Sequence, residues 1–283
     1  MSDPHPEPAF DPSRLPDRSA WLFDRFARYV QWDLGRRFDA VRLLKRGHET
    51  LGDLPADRPV IVYSNHPSWW DPLLGVAVTV ACLGERKTYA PIDAAMLEKY
   101  KVFKRLGFFG IEADARRGGA AFLRTGDAVL LEPTDRESRP RNAVWITAEG
   151  RFSDPRRRPI TLRPGVAHLA ARRPEAVVVP VAMEYPFWTE AKPEALAAVG
   201  EPIDVFTATR DVEALDAALA DALQKTMNAL AEPAIAKSPE AFDTLVRGRA
   251  GLGGLYDAAR LLGSWARGRR FDPRHMPEGR HAH

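Results

Sequence analysis

The chain has 283 residues, enough for one large domain, and its 45% apolar and 28% charged residues are the balance of a soluble or peripheral membrane protein. Its longest largely apolar run, Leu73 to Leu83, falls far short of the ~20 residues a spanning helix needs, and the acidic, proline-rich start lacks the basic end and apolar core of a signal peptide. A net charge of +3 conceals a local excess, because Lys101 to Arg173 holds 16 Lys and Arg against 8 Asp and Glu, and an anionic partner belongs there.

Residues 1–18 are polar and rich in proline and read as a disordered tail. From Ser19, a candidate N-cap, Phe23, Phe26, Val30, Leu34, Phe38, Val41 and Leu44 recur at three- and four-residue steps. That spacing predicts a basic amphipathic helix within residues 19–50. Trp21, Tyr29 and Trp32 among Arg25, Arg28, Arg36 and Arg37 suit a bilayer interface; the same stripe could instead dock on its own domain.

Pro59 to Ser64 reads as a buried strand, and a helix runs through Leu73 to Leu83 with Cys82 as a small core residue. A short strand follows over Lys87 to Pro91, then a helix over Ala94 to Leu106. After the glycine-punctuated LGFFGIEADARRGG come a helix over Ala120 to Leu131, a polar loop and a strand over Asn142 to Thr147. A helix over Arg163 to Ala171 and a strand over Ala176 to Met183 complete the alternation. Leu215, Leu219, Leu223, Met227 and Leu230 mark a helix that ends before Pro233. Residues 236–270 read as a second basic amphipathic segment and 271–283 as a disordered end.

Strands alternating with helices predict an α/β fold: a single domain over residues 51–235, its mixed or mostly parallel sheet flanked by helices, with amphipathic N- and C-terminal helices. No dinucleotide or P-loop glycine pattern follows a strand.

The stretch with chemistry in it is Asn65-His66-Pro67-Ser68-Trp69-Trp70-Asp71. An imidazole can take a proton near neutrality, and a carboxylate beside it can fix its tautomer and stabilise the imidazolium. Residues five apart on one helix point about 140° apart, so His66 and Asp71 can meet only if the segment is not helical throughout. Pro67 and Pro72 disfavour helix at His66 and Asp71, and a helix can start at Asp71, or at Ser68 with Asp71 closing a capping box. On these residues alone, a helix cap and a catalytic dyad are both open readings.

The order NHPSWWD, GFFGIEADARR, WITAEGRFS, VVPVAME resembles the glycerolipid acyltransferases, the 1-acylglycerol-3-phosphate O-acyltransferase family, over residues 59–190. The resemblance implies His66 as the general base on an acceptor hydroxyl and Asp71 as its partner. It implies direct attack on an acyl-CoA or acyl carrier protein thioester, which agrees with the absence of a G-x-S-x-G elbow. It also implies Glu149, Gly150 and Arg151, with Arg116 and Arg117, around the acceptor head group. The third block reads AEGRFS, placing Ala148, Arg151 and Phe152 where the family has Pro, Thr and Arg, with Arg156 to Arg158 close behind.

The implied partners are a lysophospholipid or another lipid alcohol, such as a glycosylated isoprenoid, and an anionic membrane surface on its cytoplasmic face. No nucleic acid, cofactor or metal is expected, the thioester being a co-substrate. A fold retained for lipid binding without catalysis is the competing class.

Overall fold

The computed structural model describes residues 14–112, 116–132, 140–208 and 211–248. Helix α1 (Ala20–Arg37) starts at Ser19, whose hydroxyl accepts from the Leu22 N–H, and ends at Phe38, which is extended. The chain then enters strand β1 (Ala40–Leu44), helix α2 (Gly47–Gly52), strand β2 (Val60–Ser64) and helix α3 (Asp71–Cys82). Strand β3 (Thr88–Asp93), helix α4 (Ala94–Lys99), a 3-10 turn over Lys101–Leu106 and strand β4 (Phe108–Ile111) follow. Next come helix α5 (Arg116–Leu131), strand β5 (Ala143–Thr147), helix α6 (Gly165–Arg172) and strands β6 (Val177–Glu184), β7 (Ala195–Val199) and β8 (Ile203–Asp204). Helix α7 (Val212–Ala236) and strand β9 (Phe242–Arg247) close the described chain.

The strands form one sheet in the order β4-β3-β5-β2-β6-β7-β1-β9, with β8 on β6. From β4 to β6 it is parallel; β7 turns back on β6, runs parallel to β1, and β9 closes the edge antiparallel to β1. Successive residues of a strand face opposite sides, and β2 buries both sets. Val60 and Val62 pack under α1 and α3, while Ile61 and Tyr63 pack under α5, α6 and α7. The sheet is thus mixed, mostly parallel, and covered by helices on both faces.

This layering positions a crevice. The chain leaves β2 through α3 toward β3, and leaves β5 through α6 toward β6, so neighbouring strands send their crossovers in opposite directions and over opposite faces. Ligand sites of open α/β sheets lie at such a point, beyond the carboxyl ends of the strands. Register aligns those ends, with Ser64 opposite both Thr147 and Val181.

Several expectations are corrected. The stripe from Phe23 to Leu44 is not one helix: Phe23, Phe26, Val30 and Leu34 are its helical part, and Val41 and Leu44 belong to a strand between β7 and β9. The three- and four-residue steps run on through β1 by coincidence of phase. The helical stripe packs against the core, so the apolar face itself is not what α1 offers a membrane. Residues 14–18 are not a loose tail, since Leu15 packs on the core and the Arg18 guanidinium lies 4.2 Å from the Phe23 ring centroid. The helix expected before Pro233 continues through it to a left-handed cap at Lys237. Within residues 236–270, Phe242–Arg247 is a strand of the sheet; residues 249–283, like 1–13, lie outside the described residues.

The edge that the helix expectation missed is held by charge. Arg42 on β1 bonds Glu194 through Nε at 3.0 Å and through a second nitrogen at 3.4 Å, with 5% and 3% of the two residues exposed. Burial pushes the Glu194 carboxyl up to about 7, against the pull of Arg42. Removing one partner of such a pair leaves an uncompensated buried charge. Arg42→Met is therefore expected to lose about 3–5 kcal/mol in urea unfolding. Without Arg42 the folded state holds the Glu194 proton still more tightly than the unfolded chain, so the loss should be larger at pH 8 than at pH 5. The double change Arg42→Met with Glu194→Leu should recover most of it.

Candidate active site

Asn65 begins the site by extending the ladder past the end of β2. Its side-chain nitrogen donates to the Met183 carbonyl at 3.0 Å and its side-chain oxygen accepts from the Met183 N–H at 2.8 Å. That double bond fixes the exit of β2 against β6. The chain then turns at Pro67 and Ser68 and enters α3 with Asp71 as its first residue and Pro72 as its second. Asp71 is 1% exposed and reaches back to accept from the Ser68 N–H at 3.1 Å, one half of a capping box. The Ser68 hydroxyl accepts instead from the Trp70 N–H.

The cap and the dyad are one arrangement. The oxygen that caps Ser68 also meets His66 Nδ1 at 2.6 Å. Its fellow, Oδ1, accepts from the Tyr185 hydroxyl at 2.8 Å. An enclosed carboxylate needs such donors on both oxygens. With Nδ1 carrying a proton toward Asp71, Nε2 is left as the acceptor of the ring, the tautomer a general base requires. The Tyr185 phenol is held well above its ordinary range by burial, then by the Asp71 charge and their hydrogen bond, and stays a donor.

The turn after β5 supports the base from the other side. Glu149 accepts from the His66 N–H at 2.9 Å through Oε2, and the His66 carbonyl accepts from the Ser153 N–H at 2.9 Å. Gly150 has φ 62, and a Cβ there would sit 2.4 Å from Arg163 Nε, so a glycine lets that guanidinium lie across the turn. Phe152 has its ring 4.3 Å from the His66 ring and is 57% exposed.

A cavity of about 720 Å³ opens at the dyad. His66, Trp69, Phe152 and Arg163 line it, as do Pro72, Val76 and Thr79 of α3 and Phe103 and Phe108. Phe23 and Phe26 of α1 and Gly118 and Gly119 in the first turn of α5 also line it. Its walls are mostly carbon, and its size suits a single elongated ligand. Arg163 is the Lys or Arg among the described lining residues; the acids besides Asp71 are Asp93, which caps α4, and Glu112.

The sequence-predicted residues divide accordingly. His66 and Asp71 meet, and Glu149 and Gly150 adjoin them. Arg151 is exposed and is not among the lining residues. Arg156 pairs with Asp154 and holds its carboxyl well below the usual range, while Arg158 bonds Asn228. Arg116 and Arg117 open α5, and their side chains lie outside the described residues. Trp69 lines the cavity, whereas Trp70 packs edge-on against Phe38 at 5.3 Å. Sequence reasoning missed Tyr185 and Arg163. The one available signal for Tyr185 was its place directly after Glu184, the last residue of an otherwise apolar strand.

Residues 46–184 match the family model described as Acyltransferase. Among solved structures, the 1-acyl-sn-glycerophosphate (LPA) acyltransferase PlsC from Thermotoga maritima is similar, with a TM-score of 0.49 and 15% identity over 74% of this chain and 78% of that chain. No curated protein matches the chain. The matched span contains β2 through β6 with His66, Asp71 and the Glu149 turn, so the chain carries an acyltransferase domain and is an enzyme.

Proposed function

We propose that the protein transfers a fatty acyl group from an acyl thioester, carried by CoA or acyl carrier protein, to the hydroxyl of a lysophospholipid-like acceptor, 1-acylglycerol 3-phosphate first among them. The observation that carries this reading is the His66–Asp71 pair, 2.6 Å apart, at an apolar cavity of about 720 Å³. His66 Nε2 takes the acceptor proton as the hydroxyl oxygen attacks the thioester carbon. The C–O bond forms, the C–S bond breaks, and the proton passes to the departing thiolate. Asp71 stabilises the imidazolium between those events. No covalent enzyme intermediate is needed. The apolar walls suit an acyl chain, and the first turn of α5, with its two glycines, together with Arg163 suits a phosphate at the opening. Arg116 and Arg117, at the start of the same helix, and Arg151, on the Glu149 turn, are the further candidates for the head group.

A lipid alcohol without phosphate, such as a glycosylated isoprenoid, is the second reading. It is favoured by Phe152, which puts a ring where the family has an Arg.

Labelled acyl-CoA and acyl carrier protein, offered with a panel of lysolipid and glycolipid acceptors, should yield one esterified product class. His66→Ala should lose about 10² to 10⁴ of the rate, the usual worth of a positioned general base. A mutant that keeps full activity would sink the mechanism, and binding without turnover on any acceptor would favour a silent lipid-binding protein.

Membrane contact is the remaining part of the proposal. The outer face of α1 exposes Trp21 and Trp32, with the Arg25 and Arg36 guanidiniums 4.9 and 4.7 Å from their ring centroids, and Tyr29 between them. Aromatic rings among cations suit the interface of an anionic bilayer. The inner face of that helix supplies Phe23 and Phe26 to the cavity, so one helix would join the lipid phase to the acyl site. Sedimentation with phosphatidylglycerol vesicles should carry the protein down, less so as salt rises. Trp21→Ala with Trp32→Ala should weaken binding roughly tenfold, on the scale of losing two interfacial side chains. Binding unchanged in that variant would remove α1 from the contact.

A further inference from the structure

We infer that Tyr185 is a positioning residue of the acyl-transfer base: its hydroxyl holds one oxygen of Asp71 so that the other stays on His66 Nδ1 and the proton stays on the imidazole. The inference rests on the reading of His66 as the base. Tyr185 lies one residue beyond the span that matches the family model.

The geometry is specific. Both His66 Nδ1 and the Ser68 N–H meet Oδ2 of Asp71, and Tyr185 meets Oδ1 at 2.8 Å. The terminal torsion of an aspartate is broad and nearly two-fold, so one oxygen must be occupied if the other is to keep its partner. Tyr185 provides that occupation from just past the end of the neighbouring strand β6, 114 residues away in sequence. Its ring is held in turn by Phe38, centroid to centroid 5.7 Å, and Phe38 by Trp70 at 5.3 Å. The loop of the base, α3 and the end of β6 are joined in this way through one carboxylate.

The hydrogen bond also has an electrostatic consequence. A donor on Oδ1 withdraws negative charge from the carboxylate, so Asp71 competes less for the imidazole proton and stabilises the imidazolium less strongly. The groups that face His66 are Asp71 from α3, Glu149 and Phe152 from the turn after β5, and Arg163 across that turn; Tyr185 acts through Asp71. Removing only the hydroxyl leaves every other member in place.

Tyr185→Phe in the full-length protein is the test, read by kcat, KM, the pH profile and an NMR titration of the His66 ring. The expected result is a fall in kcat on the order of tenfold, the scale at which outer partners of a reactive histidine act, with KM little changed. The His66 titration and the acid limb of the rate should both move to higher pH, because the carboxylate is left more basic. Site-specific 3-fluorotyrosine at 185 keeps ring and hydroxyl but strengthens the donor, and should move the titration to lower pH. It also keeps the test open if the Phe variant folds poorly.

Wild-type kcat together with an unmoved acid limb in Tyr185→Phe overturns the inference. A lower kcat with an unmoved His66 titration in both variants reduces Tyr185 to a structural brace and overturns it too. If His66→Ala retains activity, the base reading itself fails. The ring titrations then still report whether Tyr185 governs the pair.

Discussion

A carboxylate sealed from water must find hydrogen-bond donors, and Asp71 finds them on three residues from two parts of the chain. His66 and Ser68 come from the loop behind it, and Tyr185 from the end of β6. The requirement to satisfy that one side chain ties the exit of β2, the start of α3 and the end of β6 into a single unit. The Asn65 bonds to the Met183 main chain and the Glu149 bond to the His66 N–H make the same connection from two further directions. The geometry of the His66–Asp71 pair is thus inherited from the parallel pairing of β2 with β5 and β6, which delivers all of these residues to one edge of the sheet.

The same edge explains why polar chemistry and a large apolar cavity can adjoin. Helix α3 begins at the dyad, and residues of α1, α3, β3, β4 and α5 together line the space beside it. The central strands β2, β5 and β6 beside it are buried on both sides, whereas β3 and β4, which also line the cavity, are only partly buried. Helix α1 serves two surfaces. Its narrow apolar stripe, with Phe23 and Phe26, completes the core and the cavity wall, while Trp21, Tyr29 and Trp32 remain outside among its arginines.

Much of this was legible in the residues. The strands β2, β5 and β6 are apolar runs up to their last residue, and burial on both faces is why they read as runs instead of alternations. The dyad was legible because Pro67 and Pro72 restrict the backbone locally, whatever the rest of the chain does. By contrast β1 was absorbed into a helical stripe, and β7 and β9 gave no signal. Their pairings join Val41 to Ala195 and Val41 to Val246, partners that no local window contains. Arg42 in the middle of β1 reads as a polar break, and only Glu194 across the sheet makes it a buried residue.

What the sequence determined by itself is local: which segments are apolar enough to become central strands, and that His66 and Asp71 leave a strand and enter a helix at a spacing that lets them meet. What only the tertiary structure decided is which atoms surround that pair. Tyr185 and Glu149 stand 114 and 83 residues from their partners. They meet them because three strands share a register. Phe152 faces the imidazole, and Arg163 crosses Gly150, because a glycine with positive φ bends one turn toward the cavity. Backbone preference acts over a few residues and can be read along the chain, whereas the filling of a crevice depends on the packing of elements that meet only after the fold has closed.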